Sequence, residues 1–395
     1  MLPEEPLALG LKRSAIRELF EYGKKRKSEI GEDKVFDFSI GNPSIPAPEC
    51  INTAIKELIE TADPIVLHGY SSAQGDANVR KAIADYLNKT HGTSFNADNL
   101  YMTCGAAASL CITLRAILLK GEEVITFAPY FPEYKVFTEG QGGKLTVIPV
   151  DTDGFKLDFV KFEAAINENT KAVLINSPNN PSGVVYSEDC IKKLAEIMSR
   201  KSAEYGHEIY LISDEPYREL VYDKDTFVPF VTKYYNNTIV CYSYSKSLSL
   251  PGERIGYILV PDEVKDSRNV YASVCGAGRV LGYVCAPTLF QQVVAKCVGK
   301  TGDISQYKKN RDLLYGGLTE LGYDCVKPDG AFYLFVKAPE ADANAFCEKA
   351  KKYELLLVAG DGFGCPGYVR ISYCVATETI VNSMPAFKAL MEEYK

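Results

Sequence analysis

The sequence predicts an α/β protein: a large domain built on a mostly parallel sheet covered by helices, followed by a smaller α+β domain. Three observations point there. From Leu100 to Val260, short apolar runs alternate with helical stretches, the rhythm of strand–helix–strand units. Those runs are apolar at nearly every position, as in strands buried on both faces. After about Val284 the helical stretches lengthen and the strands thin out. At 395 residues the chain exceeds what one hydrophobic core ordinarily organises, so two domains are the default.

Taken in order, Ser14 is placed to cap a helix from Ala15 to about Lys27, whose basic end Lys24-Lys25-Arg26-Lys27 reads as a solvated helix terminus. A strand from Val35 to Ile40 is broken by Gly41-Asn42-Pro43. A helix follows from Ile51 to Thr61, and Asp76 caps another that reaches Asn88. The run Leu100 to Thr103 passes through Cys104-Gly105 into a helix from Ala106 to about Leu119. Further strands are expected at Glu123 to Phe127, Leu145 to Val150, Ala172 to Asn176, Ile209 to Ser213, Thr238 to Tyr242 and Ile255 to Val260, with a helix at Ser187 to about Arg200. Together with the first run these make a sheet of seven strands. Beyond Val284 come helices at Thr288 to Val298 and Ser305 to Leu321 and a strand from Ala331 to Lys337. A helix from Asp342 to Lys352, a strand from Tyr368 to Ser372 and a final helix to Tyr394 complete the chain. The expected division is residues 45–284 for the large domain, and residues 1–44 with 285–395 for the small one.

Composition removes several classes of function. Hydrophobic content of 46% and charged content of 24% are those of ordinary globular proteins. A net charge of −7 argues against nucleic acid or an anionic membrane as partner. No apolar run reaches membrane-spanning length, and Met1-Leu2-Pro3-Glu4-Glu5 lacks the order of a signal peptide. A cytoplasmic protein is expected. None of the 12 cysteines forms a Cys-x-x-Cys pair, and Cys111, Cys241, Cys297 and Cys347 sit in apolar company. They read as buried thiols rather than disulfides or a zinc site, so no metal is expected. The three histidines, His68, His91 and His207, leave little for chemistry that needs several.

The informative stretch is Ser243-x-x-Lys246-x7-Arg254-x-Gly256. It follows an apolar run, and a lysine delivered at the end of a buried strand loses solvation, which lowers its pKa and makes it a nucleophilic amine. Ser243 and Arg254 add a hydroxyl and a cation suited to an oxyanion such as phosphate. A strand followed by a solvated serine-rich loop reads equally well. Asn180-Pro181-Ser182-Gly183 is a turn former. Asp214-Glu215-Pro216-Tyr217 puts a carboxylate at the end of a buried strand, where it calls for a cation. Arg370 lies inside the alternating strand Tyr368-Val369-Arg370-Ile371-Ser372, where it calls for a carboxylate.

In that order these motifs resemble the class I aminotransferases, fold-type I enzymes that carry pyridoxal 5'-phosphate, and the resemblance runs from Gly41-Asn42-Pro43 to Arg370. It implies that Lys246 forms the Schiff base with the cofactor aldehyde and later shuttles a proton. It implies that Asp214 pairs with the pyridine nitrogen, and that Tyr217 and Asn180 bond the ring oxygen. The phosphate would rest on Gly105, Ala106 and Ala107 at a helix start, beside Ser243 and Arg254. Phe131 would stack on the ring, and Arg370, helped by the backbone at Gly41, would clamp the substrate α-carboxylate. Tyr70 matches a tyrosine that reaches a neighbour's phosphate, implying a homodimer.

The expected activity is transfer of an amino group from an aspartate-, aromatic- or alanine-like L-amino acid to a 2-oxo acid such as 2-oxoglutarate. A carbon–sulfur β-lyase of the same fold is the alternative. Ala107 stands where the nearer aspartate enzymes often carry a lysine, which counts against aspartate. Arg279 lies in the region where other members place a dicarboxylate-reading arginine supplied by the partner subunit; a surface or phosphate-facing arginine reads equally well. One unrelated chemistry shares the motifs. Ser243-x-x-Lys246, Ser267-Arg268-Asn269 and Lys300-Thr301-Gly302 follow the order of the penicillin-recognising serine enzymes. Their spacing is far too compressed for that family, and Ser243 ends a strand instead of opening a helix.

Overall fold

The computed structural model describes residues 2–11, 15–151 and 154–395; Ser14, the expected cap of the first long helix, lies outside them. The first strand, β1 (Phe36–Asp37), stands apart from the main sheet. That sheet contains β2 (Leu100–Thr103), β3 (Glu123–Phe127), β4 (Lys144–Ile148), β5 (Thr170–Asn176), β6 (Tyr210–Asp214), β7 (Thr238–Ser243) and β8 (Gly256–Leu259). Their spatial order is β2-β8-β7-β6-β5-β3-β4. All run parallel except β8, which is antiparallel to both neighbours.

Side-chain alternation along the central strands explains why they read as continuous apolar runs. On β5, Ala172 and Leu174 face a core shared with Leu110, Leu114 and Val274. Val173 and Ile175 face the opposite core, against Ile191, Leu194 and Met198 of the helix Glu188–Tyr205. That helix starts where Ser187 accepts from the Cys190 amide and stops at Gly206, whose φ of 72° suits a residue without a Cβ.

The helix Thr288–Cys297 falls in the stretch expected to belong to the small domain. It packs on the helices Glu49–Thr61 and Ala77–His91, and Val293, Val294 and Cys297 join the core of Ile51, Leu58, Ile83 and Leu87. The short helix Pro64–His68 covers it as well, and the chain beyond Cys297 supplies most of a second core unit.

That unit holds a four-stranded antiparallel sheet of β9 (Asp324–Cys325), β10 (Tyr333–Lys337), β12 (Val358–Ala359) and β13 (Tyr368–Ser372). The helices Ser305–Leu321, Ala343–Lys351 and Thr377–Glu392 bury Leu314, Phe346 and Phe387 in the same core. Here β1 pairs in parallel with β11 (Leu355–Leu356). The strand expected from Val35 to Ile40 is therefore short. Beyond Phe38 the backbone leaves the ladder, and its carbonyls take side-chain partners in the site described next. Among the described residues no helix is long and apolar enough to cross a membrane.

Candidate active site

The parallel strands deliver their polar residues to one edge, the usual place for ligands in such sheets. A cavity of about 320 Å³ opens there, lined by Gly41, Ala106, Ala107, Phe131, Asn180, Asp214, Tyr217, Ser243, Lys246, Arg254 and Arg370 among others. Nearly all of the residues singled out in the sequence thus meet at one place.

Lys246 stands in the short helix Tyr244–Ser247 that follows β7. Its ammonium donates to the Gly41 carbonyl at 2.6 Å and lies 5.2 Å from the centre of the Phe332 ring. Burial pulls its pKa down to about 8; nearby Arg370 and Arg254 push the same way and Cys374 opposes them. Asp214 ends β6 and is 5% exposed. Its Oδ2 accepts from the Tyr134 hydroxyl at 2.6 Å, while Oδ1 is buried without a partner. Burial lifts its pKa to about 7, against the hydrogen bond from Tyr134 and with the help of Glu215.

The turn from β7 to β8 explains how Ser243 and Arg254 meet. Because β8 returns antiparallel, Ser243 lies opposite Gly256, and Arg254 swings back over the start of the helix Ala106–Ile117. Gly105, at φ 87°, precedes that helix. That positive φ favours glycine, and an Arg254 guanidinium nitrogen lies 2.8 Å from where a Cβ would stand, so the cation sits close to the free amides of the helix start. Ser243 Oγ accepts from the Ser245 amide at 3.2 Å.

Arg370 reaches across from β13. It donates to Asn180 Oδ1 at 3.1 Å and to the Ser39 carbonyl at 2.6 Å, and its Nε is buried without a partner. The rings of Tyr333 and Phe363 flank its guanidinium at 4.6 and 5.0 Å. The Tyr217 and Tyr333 hydroxyls are 3.0 Å apart.

Tyr70 and Arg279 lie away from the cavity within one chain, while Gly105 stands just behind its lining, next to Ala106. Tyr70 is 98% exposed, and Arg279 is exposed near the end of the helix Ser267–Val280. The rival serine chemistry finds no site. Ser267-Arg268-Asn269 opens that helix, Lys300 follows the helix Thr288–Cys297, and neither lines the cavity with Ser243.

Sequence reasoning missed Tyr134, Asn176 and Tyr333. Tyr134 sits one helical turn after Phe131, with the two rings edge to face at 5.7 Å; that spacing was available as a signal. Asn176 ends β5 as Asp214 ends β6, the two in register, and its amide donates to the Asp214 carbonyl at 2.9 Å. Tyr333 carried no local signal, since it is one aromatic among several in an apolar strand.

The chain matches the aminotransferase class I and II family over residues 33–384. It belongs to that family. Its α/β fold with a mostly parallel sheet and a smaller second unit is the one its relatives share, and the protein is an aminotransferase, a transferase of nitrogenous groups. A curated relative is the probable aspartate aminotransferase of Methanocaldococcus jannaschii, 30% identical, with 97% of this chain and 98% of the relative covered. Among solved structures, an amino transferase from Eubacterium rectale is 64% identical with a TM-score of 0.98, covering 100% of this chain and 99% of that one. The aspartate aminotransferase of Thermotoga maritima is 26% identical with a TM-score of 0.86, over 96% of this chain and 98% of that one.

Proposed function

We propose that this aminotransferase binds pyridoxal 5'-phosphate in the cavity and moves the amino group of an L-amino acid to a 2-oxo acid in two half-reactions. The observation that carries the reading is a lysine of lowered pKa sharing one cavity with a buried carboxylate whose second oxygen has no partner. The donor set fits the cofactor. The Gly105, Ala106 and Ala107 amides with Ser243 and Arg254 suit a phosphate, Asp214 Oδ1 suits a protonated ring nitrogen, and the Tyr217 hydroxyl suits the ring oxygen. When bound, the cofactor supplies a carbonyl that condenses with amines and a ring that takes up the electron pair left at the substrate Cα. Lys246 Nζ takes the proton from Cα and returns it, which its pKa of about 8 suits near neutral pH. Arg370, with Nε free, receives the substrate carboxylate beside Asn180.

A panel of amino donors with 2-oxoglutarate tests the reading, scored separately for keto-acid product and for pyruvate plus ammonia. Keto acid from aspartate-, aromatic- or alanine-like donors is expected. Pyruvate and ammonia from cystathionine without transamination would instead make the enzyme a β-lyase. Arg370→Ala is expected to cut kcat/KM for the donor roughly 100-fold, mostly through KM, the usual scale for losing one side of a buried charge pair. An unchanged KM would remove Arg370 from carboxylate binding.

We also infer a homodimer. Ile65, Val66, Tyr70, Val280 and Val284 are exposed apolar residues on two segments tied together by Cys285 to the Ser71 carbonyl and Thr288 to the Gly69 carbonyl. Such a patch suits a second copy and would carry Tyr70 and Arg279 toward the neighbour's cavity. With Ala107 offering no charge, Arg279 is the residue assigned to a substrate's second carboxylate, with glutamate and 2-oxoglutarate as one substrate pair. Arg279→Ala should then raise KM for acidic substrates about tenfold while sparing neutral ones; equal turnover of both would end that assignment. The 12 cysteines are all free, which supports a reducing, cytoplasmic setting.

A further inference from the structure

We infer that Tyr134 is a positioning residue, its hydroxyl pinning one oxygen of Asp214 so that the other is presented to the cavity as a charged acceptor. This deepens the proposed role of Asp214 and rests on it. The contact is 2.6 Å, within the range of an O–H donor to an ionised acceptor. Tyr134 is 1% exposed, so no solvent competes for the bond. Among the described residues, Tyr134 is the one hydrogen-bond donor that reaches the carboxylate oxygens of Asp214. The Asn176 amide holds the backbone carbonyl of the same residue at 2.9 Å, fixing the strand end from the other side. The turn that brings Phe131 to the cavity therefore brings Tyr134 to Asp214 as well.

The other ionisable groups around Asp214 are already committed. Glu215 accepts from Ser213 at 2.7 Å and pairs with Arg218. The Tyr217 hydroxyl is engaged with Tyr333. Cys241, opposite on β7, lies 3.4 Å from Thr113 Oγ1 and stays protonated through burial. Tyr186, beside Tyr134, is likewise held neutral by burial. Lys246 lines the same cavity and binds the Gly41 carbonyl. Without the Tyr134 hydroxyl, nothing offsets the burial of the carboxylate, and its proton is retained to higher pH. A protonated Asp214 is no counter-charge for a ring nitrogen.

Tyr134→Phe keeps the packing and removes the bond. The dissociation constant for pyridoxal 5'-phosphate, measured by equilibrium dialysis as a ratio to wild type, is expected to rise about tenfold at pH 7 and less than about threefold at pH 9. The thermal midpoint of the cofactor-free protein should fall further below wild type at pH 8, where the lost bond was to a carboxylate, than at pH 5, where Asp214 is protonated in both. Equal weakening of binding at both pH values, no weakening, or an equal loss of midpoint at pH 5 and pH 8 would overturn the inference. Asp214→Ala separates the two claims. If it binds pyridoxal 5'-phosphate as wild type does, the role of Asp214 itself fails. If it loses binding while Tyr134→Phe shows no pH-dependent loss, the inference about Tyr134 alone fails.

Discussion

Replacing Lys246 with alanine is expected to lower the turnover of transamination by at least about 10³-fold, because the variant lacks both the amine and the proton carrier. The visible absorption that pyridoxal 5'-phosphate develops with the wild-type protein should be absent or shifted in the variant. Retention of turnover within tenfold would refute the assignment. The same residue should weaken the cofactor-free fold. Its pKa is about 8 in the native protein against an ordinary 10.5, so between those values the unfolded chain binds more protons. The cost is fully present below pH 8 and fades as pH rises toward 10.5. At about 1.4 kcal/mol per unit it amounts to roughly 3 kcal/mol. Lys246→Met, which keeps the length of the side chain, should therefore melt higher than wild type at pH 7 and lose that advantage near pH 11.

Asp214→Asn should have the second-largest effect, a loss of about 10²- to 10³-fold in turnover, since an amide cannot hold a positive charge on the ring nitrogen. Its stability should move the other way. The carboxyl is raised to about 7 from an ordinary 3.8, so the native state binds more protons across that interval. Stability of the cofactor-free wild type falls as pH rises from about 4 to 7, and the full cost, roughly 4 kcal/mol, is reached above 7. The amide does not titrate. Urea unfolding of cofactor-free protein should find the variant more stable than wild type at pH 8, with the gap closing by pH 4. A gap that stays constant with pH would mean that Asp214 is not strained by burial.

Both predictions have the same physical source. Asp214 is buried at a strand end and Lys246 stands half-buried in the short helix that follows another, and each charge is destabilised until a ligand of opposite charge or a reacting group arrives. Arg370 differs, because the Ser39 carbonyl and Asn180 already satisfy two of its donors. Its removal is expected to affect substrate affinity more than the fold.

Much of this was legible in the chain itself. Seven apolar runs, the helices between them, Lys246 at the end of one run and Asp214 at the end of another are local patterns, since burial on both faces leaves its mark on consecutive residues. Gly105 before a helix and the Ser243 to Arg254 spacing are local as well. What depends on long-range packing was not legible. The strand after Val35 could not be trimmed from sequence, because the strand it pairs with, Leu355–Leu356, lies more than 300 residues away. Its unpaired continuation supplies the carbonyls that hold Arg370 and Lys246. What the helix Thr288–Cys297 packs on was not legible either, because an apolar stripe shows that a face is covered, not what covers it. Tyr134 reaches Asp214 only because β6 and the loop after β3 end at the same edge of the sheet. Sequence by itself determined which residues carry charge at the ends of buried strands, since that is written in neighbouring side chains. Only the tertiary structure decided which of those charges meet, and which oxygen of Asp214 is left free, because hydrogen bonds between distant segments exist only once the backbone has been brought into register.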